Sequence, residues 1–165
     1  MTNAAETRHV PADAANLFNP AYCCAILHRI ATGHKAAAEK GLPYVLAFIA
    51  IPVAMHPTSA ATLPSSAQTR LHNWILNNPE VLVGFADRSR SMAPFVRDAI
   101  SFGLQFGLLK LVEPDLLVAL NSKLITKWDK RPYNLDTSKQ AQVLGKLLAQ
   151  MRDLPTVFTL FGVRP

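Results

Sequence analysis

Several things are scarce in this sequence. The longest apolar run, residues 42–55, falls short of the ~20 residues a membrane-spanning helix needs, and Pro52 interrupts it. No basic flank leads into an apolar stretch over residues 1–11, so no signal peptide is expected. The two cysteines, Cys23 and Cys24, are adjacent, which leaves no disulfide framework. Only 17% of residues are charged while 50% are apolar, a balance that excludes wholesale disorder. Twelve prolines exclude one long coiled coil. The expectation is a cytoplasmic protein without a membrane anchor.

Chemical signatures are equally sparse. No GxxxxGK[ST] phosphate loop occurs. The polar stretch Asp87, Arg88, Ser89, Arg90, Ser91 lacks the glycines of such a loop and reads as a connector with self-paired charges. Ser65, Ser66, Ser89 and Ser91 lack the strand–turn–helix setting of a nucleophile elbow. Cys24 and His28 lie four apart on an expected helix and would supply two metal ligands, where a site needs three or four. A core thiol and a half-buried imidazole fit them better. No carboxylate pair stands out. The expectation is therefore a protein that is not an enzyme, with no cofactor and no metal.

What is present is a pattern of helices. Residues 1–16 are polar and alanine-rich and read as a flexible N-terminus. Asn19 and Pro20 open a helix, because Asn caps well and proline at the first helical position gives up an N–H that has no partner anyway. Cys23, Ile26, Leu27 and Ile30 then form one apolar face, Gly33 weakens the helix, and Gly41 and Pro43 stop it. Residues 44–55 suit a buried strand or a buried helix broken at Pro52; the helix is preferred. Residues 56–66 read mainly as a connector.

Residues 67–121 are more ordered in pattern. Short helices are expected over 69–76, from Asn78 and Pro79 to about Arg88, and from about Ser91 or Ala93, with Pro94, to about Phe106. Two apolar strands, 108–112 and 116–120, flank the turn Glu113, Pro114, Asp115. Three helices and a hairpin follow the order of a winged helix-turn-helix. In the recognition position, Arg97, Ser101 and Gln105 share a stripe able to reach base edges, while Phe95, Phe102 and Phe106 load the rest. The alternative is a core strut with Arg97 and Asp98 paired at its surface. The fold class expected is mainly α with a small β-hairpin, a winged-helix-like α+β architecture.

Charge and apolarity then concentrate at the end of the chain. Residues 121–165 carry eight basic and three acidic groups, so most of the net charge of +6 lies there. Lys123, Lys127, Lys130 and Arg131, interleaved with Trp128 and Tyr133 in an expected loop, are the candidate nucleic-acid contacts. A solvated face, or a surface for an acidic partner, is the plainer alternative. Thr137 and Gln140 have capping-box spacing, and a helix with Ala141, Leu144, Leu148 and Met151 on one face follows. The segment after Pro155 is apolar. Val157, Phe158, Leu160, Phe161 and Val163 either dock on their own domain or bind a partner, and they are the candidate partner-binding residues. The whole reads as one mostly helical domain over 17–165, with docking helices over 137–162.

The segments Leu17-Phe-Asn-Pro-Ala-Tyr-Cys, Gly41-Leu-Pro-Tyr-Val-Leu-Ala-Phe-Ile-Ala-Ile-Pro, Pro57 to Pro64, Gly107-Leu-Leu and Leu160-Phe-Gly-Val-Arg-Pro occur in the order of a known family. Together they resemble the middle component of three-component ABC-ATPase systems, over nearly the whole chain. Such systems resemble bacterial conflict or anti-phage defence loci. The resemblance implies a non-enzymatic adaptor between a chromosome-maintenance-type ABC ATPase and a third, effector or sensor component. It carries over no catalytic residues. DNA contact by the basic segment inside that assembly, or a separate life as a winged-helix DNA-binding regulator, is the alternative.

Overall fold

The computed structural model describes residues 18–164. The expected flexible segment 1–16, with Leu17 and Pro165, lies outside the described residues. Helix α1 (Pro20–Ala38) starts where the sequence indicates, with the Asn19 side chain accepting from the Ala21 N–H at 2.8 Å. It is the central element: Cys23, Cys24, Ile26, Leu27, Ile30 and Ala31 are all buried. Its most extensive neighbour is the helix over Leu135–Ala149, introduced below as α7. Gly33 does not mark a weak point but a close crossing. A Cβ there would fall 2.0 Å from the Gln142 carbonyl oxygen, and one at Gly145 would fall 2.0 Å from that of Ile30. Only two glycines let these backbones meet.

After α1 the chain forms a two-residue strand β1 (Leu42–Pro43), a 3-10 turn (Tyr44–Leu46) and helix α2 (Ala47–Ala54). The expected helix is found, yet it is not broken at Pro52, which sits inside it. Proline removes the donor for the Phe48 carbonyl, and Ser89 Oγ donates to that oxygen instead, at 2.8 Å. The expected connector contains a short helix α3 (Pro57–Ala61), where His56 Nδ1 accepts from the Ser59 N–H. Helix α4 (Leu71–Asn77) follows. Its first N–H is capped from a distance by Gln150 Oε1 at 3.0 Å, while Gln150 Nε2 donates to the Ala67 and Thr69 carbonyls.

Two expected helices are redistributed. Pro79–Leu82 is a 3-10 turn, ended by Gly84 at φ 62°. One long helix, α5 (Phe85–Gln105), then runs straight through Pro94. Pro94 and Arg90 are both exposed, so the Arg90 carbonyl that loses its helical donor can be hydrated. The hairpin is as expected: β2 (Leu109–Val112) pairs antiparallel with β3 (Leu116–Ala119), Lys110 opposite Val118 and Leu111 opposite Leu117. β1 adds to the other edge of β3 with Leu42 opposite Leu117, giving the order β1-β3-β2. The mainly α class with a small antiparallel sheet therefore holds.

The expected basic loop contains helix α6 (Lys123–Asp129), capped by Ser122 Oγ accepting from the Leu124 N–H. Helix α7 (Leu135–Ala149) starts after Asn134, so Thr137 and Gln140 lie within it and make no capping box. Ala141, Leu144, Leu147 and Leu148 are buried as the periodicity requires. Helix α8 (Leu154–Leu160) closes the chain, capped by Asp153. Val157, Phe158 and Phe161 are buried, and the Phe161 ring lies 5.0 Å from that of Phe85 on α5. The tail thus docks on its own domain. Of the five residues expected to bind a partner, Val157, Phe158 and Phe161 are buried in this core, and Leu160 and Val163 are half-buried against it.

Candidate functional site

An open groove of about 940 Å³ is built from three distant parts of the chain. Tyr44, Val45 and Phe48 form one wall and α5 forms the floor. Phe158, Gly162, Val163 and Arg164 form the other wall. On α5 the lining residues are Ala86, Ser89, Arg90, Ala93, Arg97, Ile100 and Ser101, one helical stripe. Arg97 and Ser101 therefore do share a face, as their spacing indicates, while Gln105 does not line the groove.

Among the described lining residues three are arginines, Arg90, Arg97 and Arg164, and none is acidic. Asp87 pairs with Arg90 at 2.9 Å from outside the lining, with both side chains well exposed. That pair is worth little in water. The expected Arg97–Asp98 pair is not formed; the ion pairs among the described residues are Arg90–Asp87 and Arg29–Asp129. Asp87 to Ser91 is not a connector but the first turns of α5. Arg88 turns away from the groove. It donates to the Val81 and Val83 carbonyls and lies 5.3 Å from the Phe85 ring centroid.

The basic segment is a helix with two faces. Ile125 is buried and Trp128 packs edge-on to Tyr22, with centroids 5.9 Å apart. Asp129 accepts from Arg29 in a two-pronged pair that ties α6 to α1. Asn134 Nδ2 donates to the Trp128 carbonyl at 3.0 Å. Trp128 is thus occupied in packing and is not a free stacking platform. Lys123, Lys127, Lys130 and Arg131 are all exposed, as are Leu124 and Tyr133, the last at 91%. This face is outside the groove lining.

Cys24 and His28 are both buried on α1. His28 Nε2 hydrogen-bonds the Leu120 carbonyl at 2.7 Å, which ties the end of the hairpin to α1. Both thiols are held in the protonated state. Burial pushes Cys23 up to about 11 and Cys24 up to about 12, the latter helped by Cys23 beside it. Among the described residues no group of three or more His, Cys, Asp or Glu side chains is arranged to hold a metal ion. No helix of the described residues is long and apolar enough to cross a membrane.

The groove and the basic face belong to a small helical chain, and the family model for the ABC-three component (ABC-3C) system Middle Component 3 matches its residues 7–165. The chain belongs to that family, and so is a component of an ABC-three component system, with its partners within that system. No curated protein and no solved structure matches it.

Sequence reasoning named Arg97 and Ser101 but missed the groove as a unit. Its walls come from residues 44–48 and 158–164, and their meeting on α5 depends on tertiary packing that no local pattern encodes.

Proposed function

We propose that this chain is a non-enzymatic cytoplasmic adaptor that joins an ABC-type, chromosome-maintenance-like ATPase to a third, effector or sensor component in bacterial defence. The observation that carries this reading is family membership over residues 7–165 in a chain that leaves large apolar side chains in water. Val83 is 72% exposed and Leu124 68%, with Leu76 and Tyr133 also outside the core. Exposed apolar side chains on a component of a multi-part system are raw material for an interface.

The decisive test is co-expression of the chain with the other two components of its system, followed by recovery on a tag carried by the chain alone. The expected result is both companions retained through gel filtration. Recovery of neither sinks the adaptor reading.

A second reading, nucleic-acid contact within the assembly, is favoured by one observation. Lys123, Lys127, Lys130 and Arg131 are exposed, and none is in an ion pair with another described residue. Such a face would neutralise phosphates and bind in a salt-dependent way. Duplex retardation at low salt, lost when all four are changed to alanine, supports it; no retardation at low salt disposes of it.

A further inference from the structure

We propose that the arginine-rimmed groove across α5 receives an acidic segment, studded with apolar side chains, from one of the other components of the system. This deepens the adaptor reading and rests on it.

The groove's chemistry is divided between rim and floor. Val45, Phe48, Ala86, Ala93, Ile100, Phe158 and Val163 supply an apolar bed, and Arg90, Arg97 and Arg164 stand over it. With no acidic side chain among the described lining residues, the charge asks for a negative partner. Arginine is the side chain best suited to meeting carboxylates in two-pronged pairs. Asp87 Oδ1 accepts a single bond from Arg90 Nη1 at 2.9 Å, in a pair exposed enough for an incoming carboxylate to compete with it.

Shape selects a chain segment over a small molecule. Among the described lining residues Phe158 is buried, at 6% exposure, and the others are half-buried or exposed. A site this shallow would not enclose a small ligand, which ordinarily buries most of its surface. From Ala86 to Ser101 the lined stripe runs roughly 22 Å at 1.5 Å per residue, the span of an amphipathic helix of several turns. The fixed parts are rigid. Ser89 is tied to the Phe48 carbonyl at 2.8 Å, and the Phe85–Phe161 contact seats the opposite wall. Little ordering cost falls on the receptor side.

The test uses the full chain co-expressed with its two companion components. Benzoylphenylalanine replaces Ala93 in one experiment and Ser101 in a second, and the complex is irradiated and the cross-linked peptide sequenced. The expected result is a cross-link to a net-acidic segment of one companion. Arg90→Glu with Arg97→Glu lowers that cross-link and the recovery of that companion at least tenfold, while the chain's melting temperature is kept. Lys139→Glu with Lys146→Glu, exposed on α7 and outside the groove, leaves the cross-link unchanged. The proposal is overturned if the complex forms but neither position cross-links, or if the arginine reversal leaves it intact. It is overturned equally if the cross-linked segment is net basic, belongs to this chain, or is nucleic acid. Should the unaltered chain recover neither companion, the adaptor reading falls first and the groove proposal with it.

Discussion

Ser89 on α5 donates its hydroxyl to the carbonyl oxygen of Phe48 on α2, at 2.8 Å. Phe48 is the residue whose helical hydrogen bond Pro52 removes. A single side chain thus repairs a proline defect in another helix, and both residues line the groove. Ser89→Ala leaves that carbonyl without its donor in a half-buried setting. The expected cost is about 1 kcal/mol, read as a lower denaturant midpoint. A Ser89→Ala chain as stable as the parent would show that water serves the carbonyl equally well.

The α1–α7 crossing reverses the ordinary effect of glycine in a helix. In an open helix Gly→Ala stabilises by roughly 0.5–1 kcal/mol. At Gly33 or Gly145 the new methyl group meets a backbone carbonyl at 2.0 Å, and backbone cannot rotate away. Each alanine variant is expected to lose about 3 kcal/mol or more by forcing the helices apart. Equilibrium unfolding of Gly33→Ala and Gly145→Ala checks this, and a stabilised variant would contradict the packing.

The C-terminal helix is part of the core. Phe161→Ala removes a buried ring that packs on Phe85, and about 3–5 kcal/mol of stability should go with it. Removing everything after Arg152 takes Val157 and Phe158 as well. The expected outcome is loss of cooperative unfolding by circular dichroism. A truncated chain that melts like the parent would show that the tail is dispensable to the fold.

Two buried histidines make stability fall on mild acidification. Burial holds His28 and His34 below their ordinary value of 6.5, with hydrogen bonds to the Leu120 and Lys40 carbonyls only partly offsetting it. The unfolded chain, with ordinary histidines, therefore binds protons first as pH drops. Stability is complete well above 6.5 and declines as pH falls through that value toward the lower folded-state ones. The melting temperature should drop between about pH 7.5 and about pH 5.5, and the drop should shrink in His28→Gln with His34→Gln. An unchanged slope in that double variant would assign the effect to other groups.

Buried thiols near 11 and 12 predict inert cysteines. Under native conditions neither Cys23 nor Cys24 should react with a water-soluble thiol reagent, and both should react in denaturant. Rapid native labelling would mean that α1 opens far more readily than its burial allows.

The parts of the fold legible in the sequence were those fixed by near neighbours. Asn19 and Pro20 start α1, the hairpin lies around Pro114, and Ala141, Leu144 and Leu148 set the buried face of α7. Distant partners decided the rest. Proline punctuation suggested a break at Pro94, but an exposed position tolerates the lost bond, and α5 runs on. A two-residue strand such as β1 has no pattern of its own and exists because β3 offers an edge. Lysines made residues 123–129 look like a loop, yet Ile125, Trp128 and Asp129 dock them as a helix on α1. The apolar tail was legible as needing a cover, and Phe85, its cover, lies far back in the chain. For the same reason Arg97 was visible as a residue while the groove it rims was not.

The central claim is that this chain bridges two larger companions, and a subtraction experiment tests it most directly. The ATPase and the third component are expressed together, with and without this chain, and their masses are read by light scattering after gel filtration. With the chain present all three should travel as one complex; without it the two companions should separate. Companions that stay together in its absence would contradict a bridging role.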